Sequence, residues 1–178
     1  MSTREIVLGE RPNPRQREFF KARASYICYG GARGGGKSWA MRTKFVMLCG
    51  RYPGIKCLLL RRTLPELQEN HVRPLLSLLH GAAKYNDREK CFTFYNGSIL
   101  KMGYCDREPD TEQYRGQEWE VIGLEEATRF TERQYEDLTL CLRTTREDFT
   151  PRMYLTCNPG GVGMAWVKRL FIDREYKG

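Results

Sequence analysis

This sequence predicts an α/β fold with a mostly parallel central sheet flanked by helices and an inserted β-hairpin. Three observations predict it. Short apolar runs of strand length alternate with helical patterns along the chain. A glycine-rich loop, Gly31-Ala32-Arg33-Gly34-Gly35-Gly36-Lys37-Ser38, stands between a β-rich run and a helical one. Asn96-Gly97 separates two strand-like runs, a strong signal for a two-residue hairpin turn.

Taken in order, Tyr26-Ile27-Cys28-Tyr29 reads as the first strand, and Ser38 to Leu48 as the helix after the glycine loop. Arg51-Tyr52-Pro53-Gly54 makes a turn, and 56–61 (KCLLLR) reads as a buried strand. Pro65 opens a helix running toward His80, interrupted or bent near Pro74 because proline lacks the N–H a helix interior needs. Cys91–Tyr95 and Ser98–Met102 are the hairpin arms, and Asp106 to Arg115 is polar and turn-rich. A strand over Glu120–Leu124 ends on Glu125-Glu126, and Thr131 caps a helix through Leu142. Met153–Thr156 is a further strand leading into Asn158-Pro159-Gly160-Gly161, and Ala165–Phe171 is a short amphipathic helix.

The 178 residues suit a single domain, 1–178, with a sizeable core. No apolar run approaches the roughly 20 residues needed to span a bilayer, and the first ten residues lack a secretory h-region. No membrane partner is expected. Seven cysteines occur without a C-x-x-C pair and with only His71 and His80 beside them. That argues against a zinc site and for buried, reduced thiols in a cytosolic protein. The net charge of +8 permits nucleic-acid binding through phosphate neutralisation without showing it. Short basic clusters such as Arg61-Arg62 and Lys168-Arg169 read as solvated faces.

The glycine loop fits G-x-x-x-x-G-K-[ST]. Glycines let successive backbone N–H groups turn inward onto phosphate oxygens. Lys37 adds a positive charge for the β- and γ-phosphates, Ser38 offers a hydroxyl to Mg²⁺, and the helix presents its positive dipole end. Gly31, Ala32, Arg33, Gly34, Gly35, Gly36, Lys37 and Ser38 are therefore the candidate ATP contacts. At the end of an apolar strand, Glu125 would sit beside Mg²⁺ and Glu126 would polarise an attacking water. Aspartate is the commoner first acid of such a pair; the longer Glu125 can still reach the metal's water shell. Thr156-Cys157-Asn158-Pro159 offers Asn158 to the γ-phosphate or the water, or else forms a simple turn. Gln16, ahead of Phe19-Phe20, carries an amide that matches the adenine edge.

Together these stretches resemble the ATPase half of the large terminase subunit of tailed bacteriophages and related viruses. The resemblance runs from Pro14 to Phe171. It rests on Pro14-Arg15-Gln16-Arg17, Gly30 to Ser38, Leu60-Arg61-Arg62-Thr63, Tyr114-Arg115-Gly116-Gln117-Glu118, Ile122 to Thr128 and Thr156 to Gly161. Trp166 to Asp173 adds to it, and with Thr156 to Gly161 is the most family-specific part. It implies a P-loop fold of the additional-strand, catalytic-glutamate class, and a Mg²⁺-dependent ATPase that drives double-stranded DNA into a capsid. By the same resemblance Gln16 reads adenine, Glu125 serves the metal, Glu126 is the catalytic base, and Thr156 to Asn158 couples hydrolysis to movement. Arg33 would stabilise phosphoryl charge in cis, and Arg115 would do so as a finger from a neighbouring subunit or else form a surface ion pair.

Implied partners are double-stranded DNA, a portal protein, a small terminase subunit and further copies in a ring, at the procapsid portal in the cytoplasm of an infected bacterium. Large terminase subunits normally carry a nuclease domain as well, but 1–178 lacks its cluster of strand-borne carboxylates, so no nuclease activity is expected of this stretch, which reads as a piece of a longer protein. A helicase or other DNA-translocating ATPase shares the loop and acidic pair and is the alternative. A GTPase is disfavoured, because no Asn-Lys-x-Asp guanine reader occurs.

Overall fold

The computed structural model describes residues 5–9, 11–31 and 36–176. Helix α1 (Pro14–Lys21) starts on Asn13, whose side chain accepts from Gln16 N while Gln16 Oε1 accepts from Asn13 N, a reciprocal cap. Strand β1 (Tyr26–Gly30) leads into the glycine loop, and α2 (Lys37–Arg51) leaves it. Strand β2 (Lys56–Arg61) follows.

The expected helix toward His80 is broken into three pieces. They are α3 (Leu64–Leu67), a π-helical turn (Gln68–Val72) and α4 (Arg73–Leu78). The break lies just before Pro74, which cannot donate to the Asn70 carbonyl; Arg42 Nη1 from α2 donates to that carbonyl at 2.5 Å instead.

Strand β3 (Ala83–Asn86) has no counterpart in the sequence reading. It pairs antiparallel with β4 (Cys91–Phe94), which pairs antiparallel with β5 (Ile99–Tyr104). The β4–β5 turn has three residues, not two. Phe94 N donates to Ser98 O at 2.8 Å, Gly97 N donates to Phe94 O at 2.9 Å, and Gly97 takes the left-handed conformation at φ 85°. That is a three-residue loop closed by a glycine bulge. The polar stretch before Arg115 forms a 3₁₀ helix over Glu108–Tyr114.

Strand β6 (Val121–Leu124) ends on Glu125. Helix α5 (Glu132–Thr139) is capped by Thr131 with Gln134, and stops three residues short of Leu142. Strand β7 (Arg152–Cys157) and helix α6 (Met164–Val167) close the order, α6 continuing as a π turn over Lys168–Ile172.

The seven strands form one sheet in the order β1-β7-β6-β2-β5-β4-β3. All neighbours from β1 to β5 are parallel, so the sheet is parallel apart from the hairpin extension. Strand β7 lies between the loop-bearing β1 and the acid-bearing β6. Alternation along the strands builds two cores. Leu59, Val121 and Tyr154 face Met41, Phe45 and Phe19 on one side. Leu58, Leu60, Ile122, Leu124 and Leu155 face Phe130, Tyr135 and Trp166 on the other. Gly123 lets α2 approach closely, since a Cβ there would lie 2.7 Å from Phe45 Cζ. Among the described residues no helix is long and apolar enough to cross a membrane. The seven cysteines are free thiols, buried or half-buried.

Candidate active site

Parallel strands deliver their carboxyl ends to one rim, where ligands gather in open α/β sheets. Here the ends of β2, β6 and β7 meet the start of α2 around a cleft of about 570 Å³. Gly36, Lys37, Ser38, Arg42, Arg61, Glu125, Glu126, Thr156 and Asn158 line it. A larger hollow of about 840 Å³ under β1 and α5 is mostly apolar and holds none of the charged site residues.

Ala32, Arg33, Gly34 and Gly35 lie outside the described residues, so the flanks of the loop carry the geometry. Gly36 at φ 71° turns the chain into α2. Lys37 is buried and donates to the Gly31 carbonyl at 2.9 Å. Burial lowers its pKa, against the opposing pull of Cys157, Glu126 and Glu125.

Glu125 is the centre of the cleft. It is 1% exposed, and both carboxylate oxygens are engaged. Oε1 accepts from Ser38 Oγ, while Oε2 meets His71 Nε2 and lies 2.9 Å from Arg61 Nη1. Ser38 and Glu125 thus place two hard oxygen atoms together, a donor set that suits Mg²⁺, which takes few protein ligands and completes its shell with water and phosphate. Among the described residues no cluster of three or more His, Cys, Asp or Glu side chains could hold a metal by itself.

Glu126 has a left-handed backbone, φ 54° and ψ 56°, unusual for a non-glycine residue. Its N–H donates to Thr156 Oγ1 at 3.1 Å. Its carboxylate is held by Asn158 Nδ2 at 3.4 Å, Arg61 Nη2 at 3.4 Å and Arg129 Nη1 at 3.3 Å. Thr128 Oγ1 in turn donates to the Asn158 carbonyl at 3.2 Å, and the buried Asn158 Oδ1 has no partner among the described residues. Strand β7 and the acidic turn are thereby cross-linked, with Glu126 as the half-exposed face of the joint.

Gln16 reaches the loop but not as an open amide. Its Oε1 caps α1 and its Nε2 donates to the Gly36 carbonyl at 3.2 Å. Arg115 is not in the cleft. It lies exposed in a separate hollow with Asp137, Cys141 and Arg143.

Three residues of the site had no role in the sequence reading. Arg61, expected on a solvated face, is buried and bridges Glu125, Glu126 and Glu66. Arg42 sits one turn after Ser38 on α2. His71 is fully buried, and burial, aided by Arg42 and Arg61, drives its pKa well below the usual imidazole value. Position at the carboxyl end of an apolar strand was the available signal for Arg61; Pro74 three residues on was the only one for His71.

Cys157 follows the same rim. Its thiol lies 3.3 Å from that of Cys28, which lowers its pKa to about 7 with help from Lys37 and against burial.

Comparison with known proteins agrees with this architecture. A search of curated proteins matches nothing. The structure superposes on the large terminase of a thermophilic bacteriophage, in its ADP complex, with a TM-score of 0.73 at 17% identity, covering 91% of this chain and 42% of that one. For the large terminase ATPase domain of Thermus phage P74-26 the TM-score is 0.66 at 17% identity, covering 92% and 70%. For the HK97 bacteriophage large terminase it is 0.67 at 9% identity, covering 93% and 38%. At these identities the likeness shows a shared fold, that of the P-loop ATPase domain. The chain spans less than half the length of the first and third of these terminases. The model of one family, described as phage terminase large subunit, matches residues 23–178, and the chain belongs to that family.

Proposed function

We propose that this chain is the Mg²⁺-dependent ATP-hydrolysing part of a motor that moves double-stranded DNA into a viral capsid. The observation that carries the reading is the meeting of Lys37, Ser38, Glu125, Glu126 and Asn158 in one cleft at the strand ends. The ADP complex of the thermophilic-phage relative supports nucleotide as the ligand of the corresponding fold.

Lys37 would exchange the Gly31 carbonyl for β- and γ-phosphate oxygens, with Gly31 through Gly36 supplying backbone donors. Ser38 and Glu125 would hold Mg²⁺, which when bound neutralises charge on the phosphoryl oxygens. Glu126 accepts a proton from water as the water oxygen bonds to the γ-phosphorus and the bond to ADP breaks. Asn158, bonded to Glu126, is placed to respond to the state of the γ-phosphate, and β7 carries that response away from the site. Gln16 holds the exit of the loop, and its spare N–H is the part left for an adenine edge. Arg33 in cis and Arg115 from a neighbouring copy are the candidates for phosphoryl-charge stabilisation. Double-stranded DNA, a portal protein, a small terminase subunit and a ring of copies at the procapsid in the host cytoplasm complete the proposal.

The test is Glu126→Gln. Nucleotide affinity by calorimetry stays within about twofold, while single-turnover hydrolysis falls by about 10²–10⁴-fold, the usual contribution of a general base. Undiminished hydrolysis would move the base elsewhere. Mixing Glu126→Gln with Arg115→Ala protein recovers phosphate release if the finger acts between copies; no recovery removes Arg115 from that role.

A further inference from the structure

We propose that His71 is a positioning residue that fixes the carboxylate of Glu125 so that one oxygen faces Ser38 and the cation site. The inference rests on the reading of Glu125 as the metal-site acid and adds a residue to it.

Three observations lead there. First, the two oxygens of Glu125 are divided. Oε1 points to Ser38 at the head of α2, and Oε2 points inward to His71 and Arg61. A carboxylate is acceptor-only, so the imidazole must carry its proton on Nε2 and donate it. Among the described residues His71 Nδ1 is then a buried acceptor without a partner, and Glu125 is the side chain's one polar attachment. A fully buried histidine with a single hydrogen bond is costly to keep unless that bond does something.

Second, the backbone is built to bring His71 inward. The π turn over Gln68–Val72 inserts an extra residue per turn, and His71 falls on its buried side. Pro74 denies the Asn70 carbonyl its helical donor, and Arg42 supplies the replacement at 2.5 Å. Arg42 lies one turn along α2 from Ser38. The segment bearing His71 is therefore clamped to the same helix that bears the other cation donor. Asn70 Nδ2 donates to the Glu66 carbonyl at 2.9 Å and steadies the turn from within.

Third, the site uses glutamate where an aspartate would be stiffer. Glu125 has one more rotatable bond, so its carboxylate can point several ways from the end of β6. Arg61 alone does not choose among them, because it is shared between Glu125, Glu126 and Glu66. His71 contacts Glu125 alone among these carboxylates and supplies the missing restraint. The arrangement matches the general pattern in which partners behind a ligand oxygen set its orientation and metal affinity.

The experiment measures Mn²⁺ binding to the protein–ADP complex by electron paramagnetic resonance, with ADP affinity in EDTA as the metal-free control. In His71→Ala, Mn²⁺ affinity falls by about tenfold, while ADP affinity in EDTA is unchanged. His71→Gln, whose amide can donate from a similar distance, recovers part of the loss. If His71→Ala were to unfold, seen as a lost thermal transition, His71→Gln and His71→Leu carry the comparison, the leucine filling the volume without a donor. Wild-type Mn²⁺ affinity in the folded alanine or leucine variant would overturn the proposal, provided Glu125→Gln lowers it. If Glu125→Gln also leaves Mn²⁺ affinity intact, the assignment of Glu125 to the metal fails first, and this inference falls with it.

Discussion

Helix α2 carries one buried lysine at its amino end and another at its midpoint, and the two places differ in what they offer it. At the amino end Lys37 faces a cleft that mixes Arg61, Arg42, Glu125 and Glu126. Two turns along, at the middle of the helix, Lys44 lies in a cleft of about 380 Å³ with Lys21, Arg23, Arg51 and Arg152, and among the described residues no carboxylate lines it. Lys44 is nonetheless satisfied. Its ammonium donates to the carbonyls of Phe19 at 3.1 Å, Ala22 at 3.2 Å and Phe20, and lies over the Phe19 and Tyr154 rings. It closes the carboxyl end of α1. Lys37 leans on the carbonyl of a glycine loop. One lysine holds the fold together; the other is the proposed phosphate contact. Burial of a cation therefore does not by itself mark function, and what separates the two is whether the acceptors belong to rigid helix ends or to a binding loop.

The sharpest way to break that comparison is to remove each ammonium in turn. Lys37→Met weakens nucleotide binding by about a hundredfold, the worth of charge-assisted contacts, and leaves the thermal midpoint near wild type. Lys44→Met does the reverse. Stranding its three carbonyl partners costs about 2 kcal/mol of unfolding free energy, with nucleotide affinity intact. Both are read by calorimetry and thermal melts, and a shared outcome would erase the distinction.

A smaller effect comes from Gly123→Ala. The methyl group would push against Phe45 and separate α2 from β6, at about 1–3 kcal/mol. Because Ser38 and Glu125 ride on those two elements, Mn²⁺ affinity falls along with stability. An effect on stability alone would mean that the site does not depend on this contact.

A further effect is in pH dependence. Burial, with Arg152 and Arg23 nearby, lowers the Lys44 pKa to about 8. The folded state then sheds this proton before the unfolded chain does, whose lysine titrates near 10.4. The contribution of Lys44 to stability is fully present above the unfolded value and is lost as pH falls through about 8. The difference in unfolding free energy between wild type and Lys44→Met should therefore change between about pH 8 and pH 10 and be flat below. A difference that is flat throughout would show that Lys44 keeps an ordinary pKa.

How much of this was legible in the sequence follows the same divide between local and assembled features. The loop residues, Glu125-Glu126 and Asn158 are spelled out by short stretches at strand ends, and the structure brings their described members together. Arg61 and His71 were not legible as site residues. Their roles depend on β2 lying beside β6 and on a helical defect that turns one imidazole inward. Strand β3 escaped notice because Ala83-Lys84-Tyr85-Asn86 is a short edge segment with only two apolar residues. The hairpin was legible and its turn length was not, since Asn-Gly also serves a three-residue loop with Gly97 in the left-handed position. Arg115 lies away from the cleft, so a single copy of the chain can neither employ it there nor exclude it.

The left-handed backbone of Glu126 has a consequence for how this chain can change over time. A glycine would sit there at ease, and asparagine or aspartate nearly so, whereas glutamate is held by the Thr156 hydroxyl, the Asn158 amide and the surrounding ion pairs. Substitution that favours robustness alone would drift toward the smaller residues. If Glu126 is the base proposed above, that drift would silence hydrolysis, and glutamate would persist only where turnover is selected.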